Sequence, residues 1–206
     1  YLYPDYASRM CIKSLGDLFP ANQVEAKAYD MDNAPEIQKM YDLIKEAEED
    51  LKDKEKKAIG IAKLMRARQR IENLKTPTMI EIAKGFIEEG NAVAIFVNFT
   101  QTLRTIGEAL NTTNFIFGEQ TLEERDANIK KFQDDKEHIV IANIKAGGLG
   151  ISLHDTHGNY PRVSIVSPSW SAQDTLQAIG RVFRAKTKTA VRQRIVYCNN
   201  TIESSI

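Results

Sequence analysis

The sequence has little that would tie it to a membrane or to an oxidising compartment. Its two cysteines, Cys11 and Cys198, lie far apart. That excludes a disulfide-dense scaffold and reads as two buried small hydrophobes in a reducing compartment. No stretch of 18 or more apolar residues and no secretory leader is visible in the 206 residues. Charge of either sign is not in excess: Lys+Arg and Asp+Glu are both 28. A chain-wide basic surface is therefore excluded, and any surface for a polyanion must be local. Two motifs are also missing, the G-x-x-x-x-G-K-[ST] phosphate loop and an acidic strand end of the D-E-x-[DH] type. The chain opens at Tyr1 rather than Met, as a piece of a longer polypeptide would.

What is present is enough for a packed core. Hydrophobic residues make up 42% of the chain, which excludes global disorder. The length suits one α/β domain plus an appendage. Pro4, Pro20 and Pro35 interrupt the first forty residues. From Pro35 to Leu74 the pattern is helical and highly charged, and Asp42 to Lys57 alternates signs as a solvated helix or helical hairpin does. Lys63, Arg66, Arg68 and Arg70 follow without an acid among them, which leaves open a protrusion that contacts a polyanion.

A compact domain is expected from Thr76-Pro77, with Thr76 as N-cap and Pro77 at the first helical position. Met79, Ile80, Ala83, Phe86 and Ile87 recur at helical spacing, and Gly90 ends that helix. Ala92–Val97 is a continuous apolar run, the mark of a strand buried on both faces of a parallel sheet. Further strands are expected at 114–117, 137–142, 162–166 and 194–197. Helices are expected after Thr100 (core face Leu103, Ile106, Leu110), after Thr121 (Leu122, Ile129, Phe132 inward) and after Ser171. Thr121-Leu-Glu-Glu124 and Ser171-Ala-Gln-Asp174 both read as capping boxes. The alternation predicts an α/β fold, a parallel sheet with helices on both faces, preceded by a mainly helical segment.

In such a sheet, ligands gather at the carboxyl ends of strands. Asn98-Phe-Thr100, Gly118-Glu-Gln120, the run from Asn143 to Gly150, and Ser167-Pro-Ser-Trp170 all fall there. Gly147, Gly148 and Gly150 can take backbone angles closed to other residues, either for a plain tight turn or to cradle an anion. Arg181 and Arg184, read as one turn apart on a helix, either form surface salt bridges or aim two planar forks at phosphate oxygens. Six basic residues and no acidic one lie between Thr175 and Ile202, which favours the anion. A metal at His154, Asp155 and His157 lacks further ligands, so a polar loop is the expectation there. Trp170, the single tryptophan, either packs against its own helix or stacks on a base.

Taken in order, these segments carry a family resemblance. Ile95-Phe-Val-Asn98 resembles motif IV of the second RecA-like lobe of superfamily 2 helicases and translocases. Phe117-Gly-Glu-Gln-Thr-Leu-Glu-Glu-Arg125, running to Phe132, resembles the block in which a glycine precedes a capped helix. Asn143-Ile-Lys-Ala-Gly-Gly-Leu-Gly150-Ile-Ser-Leu153 resembles motif V. Pro168-Ser-Trp170 through Gln177-Ala-Ile-Gly-Arg181-Val-Phe-Arg184 resembles the approach to motif VI and motif VI itself. The pattern is nearest the Swi/Snf-type branch and covers about Thr76 to Thr201.

The resemblance implies a lobe at 76–206, with residues 1–75 as a helical linker or protrusion. It implies Arg181 and Arg184 as arginine fingers, Gly148 and Gly150 beside ATP, and Gln177 coupling that cleft to a nucleic-acid track. Asn98, Thr100, Gly118, Asn143 and Lys145 would line the track. It further implies Mg2+ held on a first lobe, DNA or RNA as partner, and an intracellular location. A non-catalytic docking module of the same fold is the rival reading. Three departures mark a divergent branch, viral or strawberry-notch-like. Asn143-Ile144 replaces a Ser-Thr pair, Ala185-Lys-Thr187 replaces Ile-Gly-Gln, and the insert His154 to Pro161 is longer than usual.

Overall fold

The computed structural model describes residues 20–146 and 150–205. In chain order these form β1 (Asn22–Tyr29), α1 (Ala34–Asp50), α2 (Lys57–Glu88), β2 (Ala92–Val97), α3 (Thr100–Leu110), β3 (Phe115–Ile116), α4 (Leu122–Gln133), β4 (Ile139–Asn143), β5 (Arg162–Val166), α5 (Ala172–Ile179), β6 (Val191–Cys198) and a final 3-10 turn (Ile202–Ser205). The strands make one sheet in the order β1-β6-β5-β2-β4-β3, and every neighbouring pair is parallel. The carboxyl ends of all six strands therefore share one edge.

Strand β2 shows why this sequence gives this sheet. All six of its residues are buried. Ala92, Ala94 and Phe96 enter a cluster with Phe132, Val140, Ala178 and Val182, on the face covered by α4 and α5. Val93, Ile95 and Val97 enter a second cluster with Met79, Ala83, Phe86, Leu103 and Ile106, on the face covered by α2 and α3. A period of two with both faces apolar makes a continuous hydrophobic run, as expected of a central parallel strand. A third cluster, with Ile37, Ile44, Ala67, Ile71 and Leu74, joins α1 to α2 as a hairpin. No described helix is long and apolar enough to cross a membrane.

The structure corrects several local expectations. The sheet has a sixth strand, β1, in the proline-interrupted stretch of the segment expected to be mainly helical. It pairs with β6, from Asn22 opposite Val191 to Tyr29 opposite Cys198, and is mostly exposed. Its Glu25 and Lys27 are the charges that blunt an edge strand, and they hide it from a hydrophobic-run search. No helix begins at Thr76: α2 runs unbroken from Lys57 through Pro77, and the Thr76 hydroxyl donates to the Glu72 carbonyl at 3.0 Å. An interior proline costs about 3 kcal/mol. Here burial holds both sides, Leu74 and Lys75 before it and Met79 and Ala83 after it. The boundary expected between residues 75 and 76 thus falls inside one helix.

Helix α3 begins at Thr100 itself, after Phe99, without a side-chain cap. Thr121 does form the reciprocal capping box with Glu124. Ser171 accepts from the Asp174 N–H, but its own N–H goes to Ser169 Oγ at 3.3 Å. Asp is one methylene shorter than the Glu of a capping box, and the reciprocal half does not form. Leu122 is 70% exposed rather than inward, since Arg125 and Phe132 are the buried residues of α4.

Candidate functional site

The shared edge is organised by a residue that the sequence reading did not single out. Glu72, on α2, is 2% exposed. Its Oε2 accepts from the Asn98 N–H at 2.8 Å, Asn98 Nδ2 at 2.7 Å and Ser167 Oγ at 2.8 Å, and its Oε1 accepts from the Phe99 N–H at 3.1 Å. One carboxylate thus fixes the loops that leave β2 and β5. Four donors, two of them backbone, satisfy a charge that would otherwise be costly to bury. Asn143 extends the tie to β4: its Nδ2 donates to the Asn98 carbonyl at 3.0 Å, and its Oδ1 accepts from the Lys145 N–H at 3.1 Å. The side chains of Asn98 and Asn143 are therefore engaged inside the protein. The only local clue to Glu72 is periodicity: it and Lys75 fall within the stripe of α2 marked by Ala67, Ile71, Leu74 and Met79.

A cleft of about 280 Å³ opens above this knot, lined by Met65, Arg68, Phe99, Lys145, Trp170 and Asp174 among others. Lys145 is exposed there. Trp170 packs without being covered: it is 44% exposed, Tyr41 lies 5.7 Å away, and the Arg68 guanidinium sits 4.5 Å over its ring. Burial holds the Arg68 guanidinium below its usual range. Ile144 turns away from the edge: it is 5% exposed within the α4–α5 cluster, and its N–H donates to the Val97 carbonyl at 2.8 Å. That explains an apolar residue where the related pattern has a hydroxyl. Gly118, past β3, is exposed, and no atom lies within 4 Å of a Cβ built on it. Nothing in the described fold demands a glycine there.

Below the cleft, Lys75 and Glu203 form a buried ion pair at 2.8 Å, 2% and 1% exposed. Tyr41 Oη donates to the same carboxylate at 2.5 Å. Burial first, and then Glu203, push the Tyr41 phenol above its usual range. This network ties α1 and α2 to the chain beyond β6.

The arginines form a second cluster. They do not share a helix, because α5 ends at Ile179 and Gly180 is its C-cap. The Arg181 N–H bonds to the Ala178 carbonyl at 3.0 Å, a tightening of the last turn, and the chain then leaves toward β6. The segment after the glycine-rich turn places both residues. The Leu153 N–H donates to the Arg181 carbonyl at 2.8 Å, and Arg184 Nη2 donates to the Ile151 carbonyl at 3.5 Å. Gly150, beside Ile151, has φ +74°, which favours glycine. Gly147 and Gly148 lie outside the described residues.

Arg181 is 7% exposed, and burial, then the charge of Arg184, hold its guanidinium below the usual range. The Nε atoms of both arginines are buried without a hydrogen-bond acceptor, and no carboxylate among the described residues is within ion-pair distance of either. His154 is held below its ordinary value of 6.5 by burial and by Arg184. Asp155 Oδ1 accepts from the N–H groups of His157 and Gly158, so the insert closes as a side-chain-capped turn. Gln177 is exposed on α5.

Residues 75–186 match the family described as helicase conserved C-terminal domain. A protein of Acanthamoeba polyphaga mimivirus named as an ATP-dependent RNA helicase is 40% identical over 197 residues, 95% of this chain and 37% of the relative. The human DNA excision repair protein ERCC-6-like is 31% identical over 142 residues, 66% of this chain and 11% of that protein. The chain therefore spans well under half the length of either relative. The crystal structure of the C-terminal part of the Fun30 ATPase domain superposes with a TM-score of 0.59 at 18% identity, covering 90% of this chain and 88% of that one. That likeness gives the fold, a RecA-like lobe.

Proposed function

Because the chain belongs to the helicase conserved C-terminal domain family, we propose that it is the second lobe of an ATP-driven nucleic-acid translocase or helicase, with Arg181 and Arg184 as arginine fingers. One observation carries this reading. Two guanidinium groups, with Arg184 close enough to disfavour the charge on Arg181, are held without a carboxylate partner among the described residues, and each keeps a buried, unbonded Nε. Such an arrangement costs free energy in the resting lobe, and an anion with several oxygens offsets it. The charge that builds on a transferring γ-phosphoryl group fits that description. The nucleotide itself would be held mainly by a first RecA-like lobe, with Gly148 and Gly150 alongside it and Gln177 at the interface. Among the described residues no group of three or more His, Cys, Asp or Glu could hold a metal ion. The motif resemblance implies that the Mg2+ accompanying ATP would be held by the first lobe.

Lys145, Thr100 and Gly118 face the track in this reading, and Asn98 and Asn143 act by fixing the loops that carry them. Contacts of this kind go to phosphates and suit movement without sequence preference. The α1–α2 hairpin walls the cleft through Arg68 and supports Trp170, the part expected of a protrusion. The setting is intracellular. In the polypeptide that carries both lobes, Arg184→Ala should lower ATP turnover by about 10³-fold or more while nucleotide affinity changes little. Unchanged turnover would refute the finger role and favour a docking module. The Swi/Snf-like pattern favours DNA as the track, while the name of the mimivirus relative favours RNA. Stimulation of turnover by duplex DNA but not RNA, or the reverse, decides between them.

A further inference from the structure

We propose that Thr187 is a positioning residue for Arg184, through a turn that this chain builds in its own way. Arg184, Ala185, Lys186 and Thr187 form a four-residue turn closed by the Thr187 N–H donating to the Arg184 carbonyl at 3.0 Å. Lys186, in its third position, has φ +81°, the angle that a type II turn requires there and that ordinarily selects glycine. The Thr187 side chain closes the turn twice more. Its hydroxyl accepts from the Arg184 N–H at 2.9 Å and donates to the Arg184 carbonyl at 2.7 Å. Thr187 is 4% exposed, so water does not substitute readily for either bond.

One hydroxyl therefore holds both polar groups of the Arg184 backbone, and the backbone sets where the side chain leaves the chain. From there Arg184 reaches the carbonyl of Ile151, next to the left-handed Gly150. A lysine at a left-handed position is uncommon and strained. It persists where the surrounding bonds over-determine the conformation, as these three do. The sequence departure at Ala185-Lys-Thr187 is thus not a loss: threonine supplies by hydrogen bonding the rigidity that the turn needs.

The inference rests on the reading of Arg184 as a finger, and the experiment separates the two. ATP hydrolysis is measured on the polypeptide with both lobes for Thr187→Val, Thr187→Ser, Arg184→Ala and the double variant Thr187→Val/Arg184→Ala, with Tm recorded for each. Valine keeps the shape and removes both hydroxyl bonds. We expect Thr187→Val to lower kcat about 10- to 100-fold, as small displacements of a catalytic group do, with KM nearly unchanged. Serine, which keeps the hydroxyl, should restore kcat. Thr187→Val should cost nothing further once Arg184 is gone. A folded Thr187→Val with normal kcat overturns the positioning role if Arg184→Ala has lost turnover. Additive losses in the double variant overturn it as well. Normal turnover in Arg184→Ala overturns the finger reading itself. Should Thr187→Val fail to fold, the comparison is made in a Lys186→Gly background, where the third position carries no Cβ penalty.

Discussion

Replacing Glu72 with alanine removes the acceptor of four hydrogen bonds at once, from Asn98 N–H, Asn98 Nδ2, Phe99 N–H and Ser167 Oγ. Asn98 and Phe99 are only half-buried, so water can replace part of what they lose, while Ser167 is 2% exposed and has no such recourse. Hydrogen bonds to a charged group contribute about 1.5–3 kcal/mol each, and bonds within one network are not additive. Counting about half the donors as rescued leaves a loss of about 3–5 kcal/mol. For a chain of this size each kcal/mol moves Tm by about 2–4 °C, giving a fall of about 6–20 °C by circular dichroism. Glu72→Gln separates geometry from charge. An amide oxygen can still serve the three donors on the Oε2 side, but its NH2 then faces the Phe99 N–H, donor against donor. That variant should lose about 1–3 kcal/mol, less than alanine. A Tm for Glu72→Ala within about 2 °C of the parent, or a glutamine variant less stable than alanine, would show that the strand-edge loops are not organised by this carboxylate.

Four other outcomes follow from the structure. Lys75→Met leaves Glu203 charged and buried and should cost about 3–5 kcal/mol in urea unfolding, most of it recovered in Lys75→Met/Glu203→Gln. Gly107→Ala should cost about 1–3 kcal/mol, because its Cβ would lie 2.4 Å from Phe115 Cζ and 2.9 Å from the Thr112 carbonyl. Gly118→Ala, with open space around its Cβ, should leave stability within about 0.5 kcal/mol and instead weaken nucleic-acid binding, read by titration at fixed salt. His154 has its folded value lowered from 6.5 by burial and Arg184, so the unfolded chain takes up its proton first as pH falls. Its contribution is full above 6.5, declines as pH falls below 6.5, and stops changing once pH is below the folded value. Stability profiles of His154→Gln should be flatter than those of the parent across that window, and identical slopes would refute the assignment.

Local chemistry was enough for much of the fold. The unbroken apolar run Ala92–Val97, the capping box at Thr121 and the helix stop at Gly90 each have a cause within a few residues, and each is found in place. Motif order carried the family. The parts that sequence reading misplaced have causes at long range. Strand β1 is polar and exposed and exists because β6 offers it an edge. Pro77 reads as a helix start until Leu74 and Met79 are both seen to be buried. The two arginines look like neighbours on a helix, yet Leu153 and Ile151 set their places after α5 has ended.

Sequence alone therefore determined the α/β alternation, the parallel sheet and the set of polar residues gathered near its carboxyl edge, because hydrophobic period and capping act over a few residues. Only the tertiary structure decided which of those polar groups are already bonded, as Asn98 and Asn143 are through Glu72 and the loop backbone, and which keep unbonded donors, as Arg181 and Arg184 do. Hydrogen-bond satisfaction is a property of groups brought together from distant parts of the chain, and it has no signature at any one of them.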